Sequence, residues 1–462
     1  MTRTALRDPP TGTDRGFWAD LVAAGSAALL VAVAAVVGAW LLDHGVPLHV
    51  DAPPRGAQRL PHTGPGTVPA LLIALLVVLR GPELAARLPW RPLLAVSAAT
   101  AVAWTMCLAL IDGWQRGLAD RLTTDTEYLH DIPRVGDVGT MLRTFAERIP
   151  GLRPESWTTH VAGHPPGALL VFVGLDRIGL PGGVPAALLC VLVGSSASVA
   201  VAVALRALGT EATARAALPF GVLLPGAIWI GVSADGLFAG VLAWGVALLA
   251  LGAARPRLDL AAVVASMAGG LLLGATLFLS YGLVLAGLLP VAVAVAARRF
   301  VPLLVAGAGV AAVVTAFAAA GFWWLDGYQQ VVIRYYQPGE YGLVRPYSYW
   351  VWADLACLAV ALGPAGVAGL RRMFVGRMFV GRMFVGRMLS GPVVLLCGAA
   401  VLAVLVADLS GLSKAEVERI WLPFTVWLVA AAGLLPPRQA RWWLAAQAVV
   451  ALIVNHLLLT TW

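Results

Sequence analysis

The sequence of 462 residues predicts an all-α fold, a polytopic transmembrane helical bundle of about 13 spans, and three observations predict it. Hydrophobic residues make up 60% of the chain and charged residues only 12%, against about 25% charged in typical soluble domains. Apolar runs of about 20 residues, enough to cross a bilayer core, recur from end to end. These runs are continuous rather than alternating, which excludes a β-barrel.

The formal charge of +8 is carried almost wholly by arginine, Lys414 being the only lysine. Much of it falls in short connections between apolar runs, the positive-inside pattern, so the charge does not indicate nucleic acid. Cys107, Cys190, Cys357 and Cys397 each sit in an apolar run without CxxC or metal spacing, and read as small buried apolar side chains.

Residues 1–16 form a cytoplasmic N-terminal tail with Arg3, Arg7 and Arg15, and 17–462 form a single transmembrane domain. The run 17–42 exceeds the roughly 7–15 apolar residues of a signal-peptide core, so it is expected to stay as an anchor. The loop 43–66 is then outside. Spans at 67–79 and 92–111, with Arg80, Arg87 and Arg91 inside between them, deliver the polar interval 113–166 to the outer face. The piece 167–180, interrupted by Asp176 and Arg177, is too short to cross. If it crossed, the later basic loops (Arg206 and Arg215, Arg255 and Arg257, Arg298 and Arg299, Arg438 and Arg441) would all lie outside.

Further spans are expected at 183–205, 216–232, 236–253, 259–279, 281–297, 301–321, 348–367, 392–408, 420–435 and 443–460. A second outer loop, 321–347, and an Arg-rich cytoplasmic loop, 371–390, separate some of them; the outer loops should carry short interfacial helices. The cytoplasmic loop repeats Arg-Met-Phe-Val-Gly from Arg372, Arg377 and Arg382. Five residues turn a helix by about 500°, so the arginines build no single face. The repeat reads as tandem duplication, with contact to anionic lipid headgroups as the functional alternative.

Five constellations carry chemistry, and by this topology all fall on the outer side. Asp125, Glu127, His130 and Asp131 stand within seven residues, where carboxylates activate an acceptor hydroxyl or hold a divalent cation. His160 and His164 precede Pro165-Pro166, which starts a helix whose positive end favours phosphate. Arg334 and Arg345, with Tyr335 and Tyr336, run against the charge bias and suit a phosphate. Glu418 and Arg419 border an apolar run, where ionisable groups are paired or functional. Asp235 sits at an outer turn between two spans. The plainer readings are a solvated acidic loop, an interfacial aromatic belt and an internal ion pair.

Taken together, the acidic outer loop with Asp125 and Glu127, His164-Pro165-Pro166 opening the next helix, and Asp235 at an outer turn resemble the GT-C superfamily of integral-membrane glycosyltransferases. The stretch Glu416 to Trp421 is similar to actinobacterial mannosyl- and arabinosyltransferases of that superfamily, and arginine without lysine fits a GC-rich, actinobacterial genome. The acidic loop follows the third span rather than the first, its acids are spread as Asp-Thr-Glu, and no soluble domain is expected after the last span. The resemblance implies an inverting transfer from a polyprenyl-phosphate sugar to a hydroxyl of a cell-envelope acceptor, at the outer face of the plasma membrane. Asp125 is then the first choice of base and Glu127 the second. Arg334, Arg419 and His164 would stabilise the leaving phosphate, with Tyr335, Tyr336, Arg345 and Glu418 binding donor or substrate, and His130, Asp131, His160 and Asp235 in support. No cofactor is required, although a divalent cation (Mg or Mn) is compatible with the acids.

The alternative reading, a transporter or lipid flippase of envelope precursors, predicts charges near mid-membrane and internal repeats of span size. A non-catalytic assembly partner is the third reading. The sequence shows neither feature of the transporter, and names no sugar or acceptor.

Overall fold

The computed structural model describes residues 12–151, 154–337, 341–375 and 391–460. Among them, nine helices are long and apolar enough to cross a membrane, and the chain is a multi-pass membrane protein. They are Gly12–Asp43, Thr67–Arg87, Trp90–Ile111, Gly183–Ala207, Ala234–Ala253, Leu260–Leu279, Val301–Ala319, Tyr347–Val375 and Pro392–Ser410. The Ala234–Ala253 helix is apolar all round and buried, as a central helix must be. Its close approach to the Gly183–Ala207 helix depends on Gly240, where a Cβ would lie 2.2 Å from the Val193 carbonyl; such small-residue contacts replace the hydrophobic effect inside lipid. The Gly12–Asp43 and Val301–Ala319 helices lie outside, with Leu29, Val36 and Leu304 exposed.

Four expected spans take another form, so 13 full-length spans are not what the helices show. Residues 216–232 occur as Glu211–Val222 and Ala227–Ile230, separated around Pro225. The segment 281–297 is a 3₁₀ turn, Tyr281–Gly287, followed by Leu288–Ala297. Residues 420–435 are divided among Val417–Ile420, Leu422–Leu428 and Val429–Leu434. The last, Ala440–Leu457, passes into a strand, Leu458–Thr460, paired antiparallel with Ala57–Arg59, a small departure from an all-α fold. Proline and glycine cause most of these breaks, and protein groups re-satisfy the freed backbone, as the apolar surroundings require. At the Gly363-Pro364 kink, for example, Gln447 donates to the Leu362 carbonyl at 3.0 Å and accepts the Ala365 N–H at 3.1 Å.

The interval 113–166 folds into short helices, including Gln115–Ala119, Tyr128–Asp131, Val138–Thr144 and Thr159–Gly163. It leads to the helix Pro166–Arg177, 12 residues long. Arg177 at its end donates to the Gly136 carbonyl at 2.7 Å, so this helix both leaves and rejoins the same interval. The interval 321–347 carries the amphipathic helix Trp324–Tyr335, with Trp323, Leu325 and Ile333 exposed. The segment 43–66 lies at this end too, since the His49 carbonyl faces Arg345.

At the opposite end, the fully buried Asp20 is gripped by Arg371 and Arg372 at 2.6 and 2.5 Å. This clamp joins the Gly12–Asp43 helix to the end of Tyr347–Val375, just before the Arg-Met-Phe-Val-Gly repeats, most of which lie outside the described residues, as does 1–11 of the N-terminal tail. Removing one partner of a buried pair strands the other charge. Asp20→Ala is therefore expected to cost roughly 3 kcal/mol, read as a lower thermal midpoint in detergent, with Asp20→Glu recovering part of it.

Candidate active site

Ion-paired side chains from four separate stretches meet at the end of the bundle where the interval 113–166 lies. The turn before Tyr128–Asp131 supplies Glu127, the Thr159–Gly163 helix supplies His160, the first turn of Ala234–Ala253 supplies Asp235, and the segment before Leu422 supplies Glu416 and Arg419. Arg419 is the hub. Its Nη1 donates to Asp235 Oδ2 at 2.7 Å, and its Nη2 donates to Glu416 Oε2 at 2.7 Å and to His160 Nε2 at 3.0 Å. Glu416 is shared, because its Oε1 accepts from Arg345 at 3.0 Å.

Backbone strain delivers two of these carboxylates. Asp235 follows Val232, a β-branched residue at φ 79°, and Glu416 itself stands at φ 62° after Ala415 at φ 70°. Left-handed backbone at non-glycine residues costs of order 1–3 kcal/mol each and persists only where surroundings impose it. Around Glu416 those surroundings are visible: Arg345 donates to the Lys414 carbonyl at 2.7 Å, and the Ala415 N–H donates to Asp354 at 3.2 Å.

His160 has a defined tautomer. A carbonyl only accepts, so the bond of Nδ1 to Thr126 O at 3.0 Å places the proton on Nδ1. Nε2 is then the lone pair that receives Arg419. Burial, then Arg419 and His164, depress the imidazole to about 3, so His160 stays neutral. The same Nδ1 faces Glu127 Oε1 at 3.2 Å and orients that carboxyl.

Glu127 is the titrating member. Burial pushes its pKa up and Asp235 adds to this, while Arg419 and Arg121 pull it down; the balance is about 7. Its side chain keeps 13% of its surface exposed. Glu416 moves the other way: burial alone would raise it, but Arg419 and Arg345 hold it below the usual carboxylate range. For Arg419, burial alone would lower the pKa, but Asp235 and Glu416 push it above its ordinary value.

His164 caps the Thr159–Gly163 helix, donates from Nδ1 to the His160 carbonyl at 2.7 Å, and packs against Tyr128 and Phe238. Burial is the main reason its pKa is lowered. The helix Pro166–Arg177 starts directly behind it, held close by Gly167, where a Cβ would lie 2.4 Å from the Phe278 carbonyl.

The structure therefore brings together Glu127, His160, His164, Asp235, Arg345 and Arg419 from the residues singled out in the sequence. It does not bring in Asp125 or His130, both exposed. Asp131 is fully buried but ties the interval to itself, through Arg134 and the N–H and hydroxyl of Thr158. Arg334 does similar work, donating to the Ile149 and Trp157 carbonyls at 3.0 and 2.9 Å. Tyr335 packs beside Lys414 and Tyr336 is exposed. Glu418 is buried, and neither of its carboxylate oxygens is hydrogen-bonded to the cluster. Arg334→Met is expected to cost about 1–3 kcal/mol through its unpaired carbonyls, with faster proteolysis of the interval. Loss of activity at unchanged stability would instead make Arg334 a substrate contact.

Three buried acids were given no site role from the sequence. Glu416 stands three residues before Arg419, the spacing of a helical ion pair, and that was its available signal. Asp354 and Asp408 are lone acids in apolar runs, both buried, and such acids are functional or paired by default.

Among the described residues, no group of three or more His, Cys, Asp or Glu is arranged to hold a metal ion. The carboxylates of the cluster already face Arg419, Arg345 and His160, so the donor set does not fit a divalent cation.

No family model matches the sequence, and no curated protein matches it. Among solved structures the chain is similar to ArnT from Cupriavidus metallidurans bound to undecaprenyl phosphate, at 17% identity and TM-score 0.45, covering 76% of this chain and 61% of that one. It is also similar to the Archaeoglobus fulgidus oligosaccharyltransferase tethered to an acceptor peptide, at 13% identity and TM-score 0.41, covering 74% of this chain and 49% of that one. The chain spans 61% and 49% of the length of these two structures.

Proposed function

We propose that the chain is a GT-C-type membrane glycosyltransferase. It moves a sugar from a polyprenyl-phosphate donor to a hydroxyl of a cell-envelope acceptor at the outer face of the plasma membrane. The observation that carries this reading is Glu127: a largely buried carboxyl with a pKa near 7, oriented by a neutral histidine, beside a fixed arginine. A general base works best when its pKa lies near the working pH.

In the proposed step the acceptor oxygen attacks the anomeric carbon as Glu127 takes the hydroxyl proton. The new C–O bond forms as the bond to the phosphate oxygen breaks, through an oxocarbenium-like state and with inversion. The electron pair leaves with the phosphate, giving a glycoside and polyprenyl phosphate. Arg345, Lys414 and Arg419 form the cationic edge that meets the growing charge, and fixed donors of this kind lower the barrier because they need no reorganisation. The exposed apolar helices around the site are the natural surface for the prenyl chain.

The charge distribution speaks against transport. Asp20, Asp354 and Asp408 lie within about two helical turns of a helix end rather than at mid-span. The test incubates purified protein with labelled polyprenyl-phosphate sugars and measures release of free lipid phosphate. Release that needs an acceptor and is lost in Glu127→Gln is expected; no release from any donor in the panel overturns the proposal.

A further inference from the structure

The acidic residues of the cluster come from three distant parts of the chain: Glu127, Asp235 and Glu416. Carboxylates converging in this way beneath a polar surface are the usual means of holding Mg or Mn. Here a guanidinium is already among them. Arg419 is 6% exposed and donates at 2.7 Å to both Asp235 and Glu416. It also takes the Nε2 lone pair of His160 at 3.0 Å, so this nitrogen is not open to a metal. Glu416 has its second oxygen on Arg345.

Charge closes the argument. Three carboxylates face two guanidiniums, and Glu127, with a pKa of about 7, is about half ionised at neutral pH. The cluster is therefore close to neutral as it stands. Inserting a dication would leave a buried positive excess, which the low-dielectric surroundings penalise.

We infer that the Arg419 guanidinium is a built-in cation that neutralises Asp235 and Glu416 in the place of a divalent metal, so that this site works without one. The inference deepens the transferase reading and rests on it for the claim of metal-free turnover. Its structural half stands alone.

The test has two arms. In the first, Mn²⁺ is titrated into purified protein in detergent and bound ion is followed by electron paramagnetic resonance. Wild type is expected to show no stoichiometric site below millimolar Mn²⁺. Arg419→Met, which removes the cation and leaves the carboxylates, is expected to gain one site that Arg419→Met combined with Asp235→Asn loses. A stoichiometric site in wild type that Asp235→Asn abolishes overturns the inference, and this wild-type measurement decides even if the Arg419 variant fails to fold. In the second arm, lipid-phosphate release after dialysis against EDTA is expected to stay within twofold of the untreated rate. A loss above tenfold that Mg²⁺ restores overturns the inference. If no preparation releases lipid phosphate, the transferase reading fails, while the Mn²⁺ arm still reports on the built-in cation.

Discussion

Glu127→Gln is expected to lower glycosyl transfer by about 10²–10⁴-fold, the usual worth of a positioned general base, with donor binding kept. The amide retains the shape of the carboxyl and its contact with His160, so the loss isolates the proton. Asp125→Asn, two residues away, is expected to change the rate less than threefold, because that side chain is exposed. The pH dependence supplies a second reading of the same claim. Only the ionised carboxylate accepts a proton, so activity should rise with pH on a single limb near 7, the value set by burial of Glu127 against the pull of Arg419, and then level off. His160, held to about 3, should add no limb of its own in the accessible range. Rates measured between pH 5 and pH 9 check both points. An unchanged rate in Glu127→Gln, or a large loss in Asp125→Asn, would return the base to Asp125.

The choice between these two acids shows where sequence reasoning stops. The crowding of Asp125, Glu127 and His130 within one polar interval is visible in the sequence, and so is the resumption of apolar sequence at Pro166. Which acid turns inward is set by a contact across 34 residues: both the N–H and Nδ1 of His160 bond the Thr126 carbonyl at 3.0 Å. A backbone acceptor has no side-chain signature, so this contact cannot be read from composition or spacing. The same holds for Arg334, whose position against the charge bias suggested a phosphate and whose bonds go to two carbonyls. The helical, many-span architecture was legible because apolar periodicity and length are local properties. The broken segments after Leu224 and after Tyr281 were less so, because an apolar composition looks the same whether or not glycine and proline interrupt the helix. The role of Glu416 was hidden for a different reason. Its reach to Arg345 and Arg419 together needs a left-handed backbone at two non-glycine residues, which propensity argues against. Those strained positions mark a site because the fold holds them against their preference.

Arg419 carries the other large effect, and its variants should separate charge from geometry. Arg419→Lys keeps a cation but loses the planar fork that reaches Asp235, Glu416 and His160 at once; lysine does not substitute at a multidentate site. Turnover is expected to fall about 10²–10³-fold, the range for losing one preorganised donor at a charge-developing centre, while the pH limb stays near that of wild type. Arg419→Met removes the charge as well. Arg419 lowers the Glu127 pKa and Asp235 raises it, so the sign of each shift is fixed. Without the arginine, the residual activity should show its limb displaced to higher pH. Asp235→Asn should displace the limb to lower pH, leaving more Glu127 ionised at neutrality even as Arg419 loses its anchor. Opposite displacements in these two variants require that Arg419 and Asp235 act on one titrating carboxyl. A limb that moves the same way in both, or not at all, would mean that the group controlling turnover is not Glu127 and that the cluster only holds the helix ends together.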